Sequence, residues 1–218
     1  MKIFIGYDSR QEEAYKVCRW SILKQNRNLE IIPLIKDNLP DISHSDGSTE
    51  FTYTRFLVPH IENYQGWALF CDCDFLWLCD PLEILKYADD QYAVCVVKHL
   101  EYQINSSIKM DGAKQSNYPR KNWSSLILWN CEHESNKVIT PMTISNNTPS
   151  WLHQFKWLHN DSIGELPIEY NWLAGYYSKG NPKAIHYTDG GPWFDEYKKC
   201  EYSDFWISHR NETMQSKN

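Results

Sequence analysis

Short apolar runs alternate along the first half of the chain with stretches in which apolar positions recur every three or four residues. Lys2 to Tyr7 reads as a strand ending at Gly6-Tyr7-Asp8, and Ser9-x-x-Glu12 behind it has the form of a capping box. The helix that follows places Ala14, Val17, Cys18, Ser21 and Ile22 on one face. A second strand, Leu29 to Lys36, leads through a polar loop, Asp37 to Ser48, to an amphipathic helix at Glu50 to Val58 that Pro59 closes. A third strand starts at Trp67, Asp80-Pro81 caps a helix over Leu82 to Ala88, and Tyr92 to Lys98 is the next strand. Strands alternating with helices predict an α/β fold around a mainly parallel sheet, with ligands at the carboxyl ends of its strands.

The second half has a weaker period. A loop from His99 to Lys121 precedes a strand at Ser125 to Trp129, Pro149 to His159 reads as helix, Ile185 to Thr188 as a short strand, and Gly190-Gly191-Pro192 as a turn. No repeat or linker divides the chain, so the expected organisation is one domain over residues 1–207 and a polar, frayed C-terminal tail at residues 208–218.

Composition narrows the function. At 218 residues the chain is large enough to fold around its own core, and its net charge of −6, with no cluster of Lys and Arg, argues against a nucleic-acid partner. No apolar run approaches the ~20 residues that span a bilayer. Seven cysteines, an odd number set mostly in strand-like runs, read as free thiols, and with no signal-peptide pattern they point to a cytoplasmic protein. Ten Trp and fourteen Tyr suit either a core of large rings or stacking against sugars.

The sharpest chemical feature is Phe70 to Pro81, FCDCDFLWLCDP. In an extended segment Asp72 and Asp74 project to the same side, away from Cys71 and Cys73. Two carboxylates held together in so apolar a run cost several kcal/mol unless a cation lies between them, and oxygen ligands select Mg²⁺ or Mn²⁺.

The segment STEFTYTRFLVPHIENYQGWALFCDCDFLWLCDPLEIL, followed by RKNWSSLILWN, LHQFKWLHNDSIGELPIEYNWL and HYTDGGPWF, resembles the GT-A glycosyltransferases related to family 8. The likeness is strongest to small stand-alone members among bacterial surface-polysaccharide enzymes and in large algal viruses. It implies a GT-A fold and a divalent metal, Mn²⁺ or Mg²⁺, on Asp72, Asp74 and His186. It also implies a nucleoside-diphosphate sugar as donor, a UDP-sugar first, and a glycan or other hydroxyl acceptor, with retention at the anomeric carbon. His186 takes the place of the histidine in the family pattern HxxGxxKPW, with the spacing changed by one residue and Gly191 where the family has a lysine. The resemblance further implies that Gly6, Tyr7 and Asp8 hold the base and ribose and that Arg55 serves the phosphates; with the family lysine missing, the backbone N–H groups of Gly190 and Gly191 could cradle a phosphate oxygen in its place. Ser125, in place of a family glycine, would line the sugar pocket, and Trp193 is a candidate stacking ring. Of the family's Asp-Gln pair only Gln154 is matched, preceded by His153, and Asp161 is the candidate replacement for the carboxylate. Two rival readings stay open, a Mg²⁺-dependent nucleotidyltransferase and a non-catalytic carbohydrate-binding relic.

Overall fold

The computed structural model describes residues 1–43, 47–100, 102–104, 108, 112 and 118–215. A six-stranded sheet is built from β1 (Lys2–Gly6), β2 (Ile31–Leu34), β3 (Trp67–Cys71), β5 (Val94–Val97), β6 (Leu126–Asn130) and β7 (Ile163–Leu166) in the order β2-β1-β3-β6-β5-β7. The pairs β1–β2, β1–β3 and β5–β7 are parallel, while β6 runs antiparallel to both its neighbours. The central strands are covered on both faces, which explains their unbroken apolar sequences: every residue of β5 and β6 is buried. Each large aliphatic or aromatic side chain buried here contributes roughly 1.5–3 kcal/mol.

A second, three-stranded sheet determines where the chemistry sits. It contains β4 (Phe75–Trp77), β8 (Trp172–Leu173) and β9 (Ala184–His186) in the order β4-β9-β8. The antiparallel register of β4 and β9 sets Phe75 opposite His186. Helix α1 (Glu12–Gln25) lies against β4, and its buried Ser21 hydroxyl accepts the Trp77 backbone N–H at 2.9 Å. The predicted buried face of α1 is the observed one, Ala14, Val17, Cys18, Ser21 and Ile22.

Several local expectations change. Ser9-x-x-Glu12 is not a capping box; Asp8 caps a 3-10 turn at Ser9–Gln11, and α1 follows from there. Residues Thr54–Leu57 form a 3-10 turn leading into α2 (Val58–Ile61), so Pro59 sits in the first turn of a helix, where its missing N–H removes no bond, and opens the helix where closure was expected. Pro81–Tyr87 is 3-10, with Asp80 capping it as expected through Leu82 N. The helix expected to run to His159 stops at His153: α3 (Pro141–Ser145) and α4 (Pro149–His153) are each five residues long. The loop expected at His99 to Lys121 lies largely outside the described residues.

The largest correction concerns the C-terminus. Residues 208–215, expected as frayed tail, are the second half of α5 (Ser203–Gln215). Trp206 and His209 are buried on it, and Glu212 accepts from Trp20 Nε1 and Lys24 Nζ of α1. Only two positions of α5 are buried, so its apolar stripe is too thin to register as amphipathic. No helix among the described residues is long and apolar enough to cross a membrane.

Candidate metal and nucleotide-sugar site

The chain turns sharply between β3 and β4, and Asp72 and Asp74 occupy that turn. Their expected alternation along one strand is replaced by a kink, yet the two carboxylates still converge. Backbone bonds hold the turn on both sides, from Asp72 N to Ser125 O at 3.0 Å and from Tyr187 N to Asp74 O at 3.1 Å. The second of these continues the β4–β9 ladder and brings the end of β9 to the acids. One ligand atom from each of Asp72, Asp74 and His186 lies within 4.8 Å of the others.

The electrostatics favour a cation there. Arg55, 5% exposed, pairs through Nη1 with Asp72 Oδ1 at 2.8 Å, and the same nitrogen donates to Ser124 O at 2.8 Å. Its guanidinium lies between the Phe51 and Phe70 rings, 5.1 and 5.2 Å from their centroids, which fixes the plane of the fork. Asp72 is thereby neutralised and Asp74 is not. Asp74 is 6% exposed, and its Oδ1 is buried without a hydrogen bond, 3.4 Å from His186 Nε2. A buried carboxylate oxygen with no donor is costly, and a divalent ion ligated by two carboxylates and an imidazole removes that cost. The residues present therefore fit such an ion. The Phe75 ring stacks on His186, centroids 4.5 Å apart at 18°, and fixes the plane of the imidazole.

The cavity over these groups has a volume of about 210 Å³. Arg55, Asp72, Asp74, Ser125 and His186 line it, with Asn122, Ser124 and His153 beside them, and so do residues that sequence reasoning missed, Gln11, Thr52, Lys121 and Thr188 among them. Ser124 Oγ and His153 Nδ1 are 2.6 Å apart. Asn122 has a left-handed backbone, φ 64°, which Asn tolerates better than most residues, and this directs its carbonyl to Ser125 Oγ at 2.6 Å. Asn171, wholly buried, links this turn to His186. Its one sequence signal was a lone amide inside the apolar run Tyr170 to Leu173.

Other sequence-predicted residues lie elsewhere. Asp8 is fully buried and already accepts four donors, Arg10 N and Nε on Oδ1 and Arg10 Nη2 and Glu50 N on Oδ2, so its lone pairs serve the helix start instead of a ribose. Tyr7 packs edge-on against Tyr15, and Gly6 is where Phe51 closes in, since a Cβ would meet that ring at 2.5 Å. Gly190 spends its N–H on Tyr187 O, inside a turn that requires its φ of 137°, instead of cradling a phosphate. Gly191 makes room for the Trp193 ring, and Trp193 packs with Tyr187 and Trp206 in a second hydrophobic cluster. Gln154 bonds Ser150 Oγ and Arg120 Nη1. The Asp161 side chain is 90% exposed, beside His159. Neither lines the cavity with the paired acids, although His153 does. All seven cysteines are free, burial raises the Cys73 thiol between the two acids well above its ordinary range, and Cys73 is not part of the group that Asp72, Asp74 and His186 form.

No protein-family model matches the chain. Among solved structures it is similar to the bifunctional glycosyltransferase WbbM, with a TM-score of 0.70 and 18% identity over 96% of this chain, although it spans only 49% of that one. It is also similar to the galactosyltransferase LgtC, solved with donor and acceptor sugar analogues, with a TM-score of 0.56 and 14% identity over 97% of this chain and 96% of that one. At such identities the likeness shows the fold, a GT-A-like α/β domain. A curated relative is closer in sequence: Protein CDI of Arabidopsis thaliana is 45% identical over 224 aligned residues, covering 97% of this chain and 86% of that protein. The chain therefore belongs to the family of Arabidopsis Protein CDI, on the fold of the GT-A glycosyltransferases.

Proposed function

We propose that this chain is a glycosyltransferase related to family 8, which moves a sugar from a UDP-sugar to a hydroxyl of a glycan acceptor with Mn²⁺ held by Asp72, Asp74 and His186. The observation that carries the reading is the buried, undonated Asp74 Oδ1 facing His186 Nε2 beside an arginine-neutralised Asp72. A bound divalent ion supplies Lewis acidity at a diphosphate leaving group. The chain's own residues orient the reactants. Arg55 pairs with Asp72 and fixes its aim, and Lys121 offers positive charge at the cavity wall, where the Gly190-Gly191 turn does not. Ser124, Ser125 and His153 form the wall beside the acids and would meet the donor sugar.

Among the described residues lining this cavity, Asp72 and Asp74 are the only carboxylates. With both committed to the metal, none of these described residues is left as a carboxylate nucleophile. This favours front-face attack by the acceptor hydroxyl, with retention, over a covalent glycosyl-enzyme. A second cavity of about 400 Å³, lined by His99, Tyr102, Arg120 and Trp123, shares Tyr118 and Lys121 with the first and is a suitable entry for the acceptor. The test is UDP release from a panel of UDP-hexoses and UDP-pentoses with Mn²⁺ and with EDTA. Metal-dependent release from one donor supports the enzyme; UDP binding with no release from any donor supports the relic.

A further inference from the structure

Asn171 makes three hydrogen bonds from a side chain with no exposed surface, and the chemistry of its partners fixes the direction of each. The Asn122 carbonyl, 3.3 Å away, can only accept, so the atom facing it is the amide nitrogen Nδ2. The same nitrogen donates to Ser125 Oγ at 2.9 Å, while Ser125 gives its own proton to Asn122 O. With the nitrogen committed to that side, Oδ1 faces His186 Nδ1 at 2.9 Å. An amide oxygen accepts and cannot donate, so the proton of a neutral His186 sits on Nδ1 and the lone pair on Nε2. Nε2 is the atom that looks at Asp74 Oδ1.

We propose that Asn171 is a positioning residue that selects the His186 tautomer able to ligate a cation, and that the Asn122–Ser125 turn locks the orientation of its amide. This deepens the reading of Asp72, Asp74 and His186 as a cation site and rests on it. Phe75 stacking holds the ring plane but is indifferent to which nitrogen carries the proton. Without the Asn171 oxygen, the competing tautomer would turn an Nε2–H toward Asp74 and occupy two ligand atoms at once. Asn171 removes that competitor, the role outer hydrogen bonds play for metal-binding histidines in general.

The test uses the full chain, wild type and the variants Asn171→Leu and Asn171→Asp. The tautomer is read from the ¹⁵N shifts of His186 in metal-free protein, assigned with His186→Gln, and Mn²⁺ affinity from electron paramagnetic resonance. The wild type should show Nδ1–H. Asn171→Leu should lose that preference and weaken Mn²⁺ binding roughly 10–100-fold, and Asn171→Asp, which restores an acceptor, should recover both to within about tenfold. A merely structural asparagine predicts lower melting temperatures for both variants with Mn²⁺ affinity unchanged, and that result would overturn the proposal. So would an Nε2–H tautomer in the wild type. If the wild type binds no Mn²⁺, the cation-site reading falls and this proposal with it; if it binds and Asn171→Leu binds as well, the role of Asn171 alone is refuted.

Discussion

The buried carboxylate of Asp74 sets function against stability at a single residue. Its Oδ1 has no donor, so Asp74→Asn, which can donate from its amide to His186 Nε2, should leave the metal-free protein as stable as the wild type or more so. The same change should abolish the rise in melting temperature on adding Mn²⁺; a preserved rise would remove Asp74 from the ligand set. Arg55 has the opposite character, because deleting it removes the buried ion pair of Asp72 beside Asp74. Arg55→Gln should cost about 3–5 kcal/mol in urea unfolding, the scale for breaking a buried pair, and a loss under 1 kcal/mol would show that Asp72 does not depend on it. His99 gives the pH dependence. Burial first, then the nearby His186, lowers its pKa from 6.5 to about 3. Below pH 6.5 the unfolded chain therefore takes up a proton that the native state refuses. The stability contributed by neutral His99 is complete above that pH and declines as pH falls toward 3. Urea midpoints at pH 7.5 and 5 should differ less in His99→Phe than in the wild type; an unchanged difference would assign the pH dependence to other groups.

At the scale of elements, the first half of the chain was legible because its strands are continuous apolar runs and its helix face has a full stripe. β1, β3, β5 and α1 fall within the segments read from pattern. The paired acids were legible for the same reason, since carboxylates in an apolar run need a partner. The rest was hidden by brevity and by long-range contact. β8 has two residues, too few for a period; β9, read from the sequence at Ile185 to Thr188, lies at Ala184–His186, but His186 reaches the acids only through the β4–β9 register, so its role was carried by resemblance alone. Asp161, Gln154 and Trp193 were placed by motif adjacency, which does not say which way a side chain faces. α5 was missed because its partners, Trp20 and Lys24, lie almost two hundred residues earlier. Trp206→Ala should cost about 3–5 kcal/mol, as expected for a fully buried tryptophan. A loss near zero would return this segment to the status of a tail.

Over the whole molecule, two sheets meet at one kink: the large one delivers Asp72 from β3, and the small one delivers His186 from β9 beside Asp74. Nucleotide binding at this junction is expected to run through a divalent ion. Calorimetric titration of UDP into the protein tests it most directly, first with Mn²⁺ and then with EDTA. UDP affinity measured with Mn²⁺ should fall at least ~100-fold, about 2.7 kcal/mol, when the ion is removed or when His186 is replaced by Ala, with the metal-free melting temperature of that variant nearly unchanged. Equal UDP affinity with Mn²⁺ and with EDTA would contradict it.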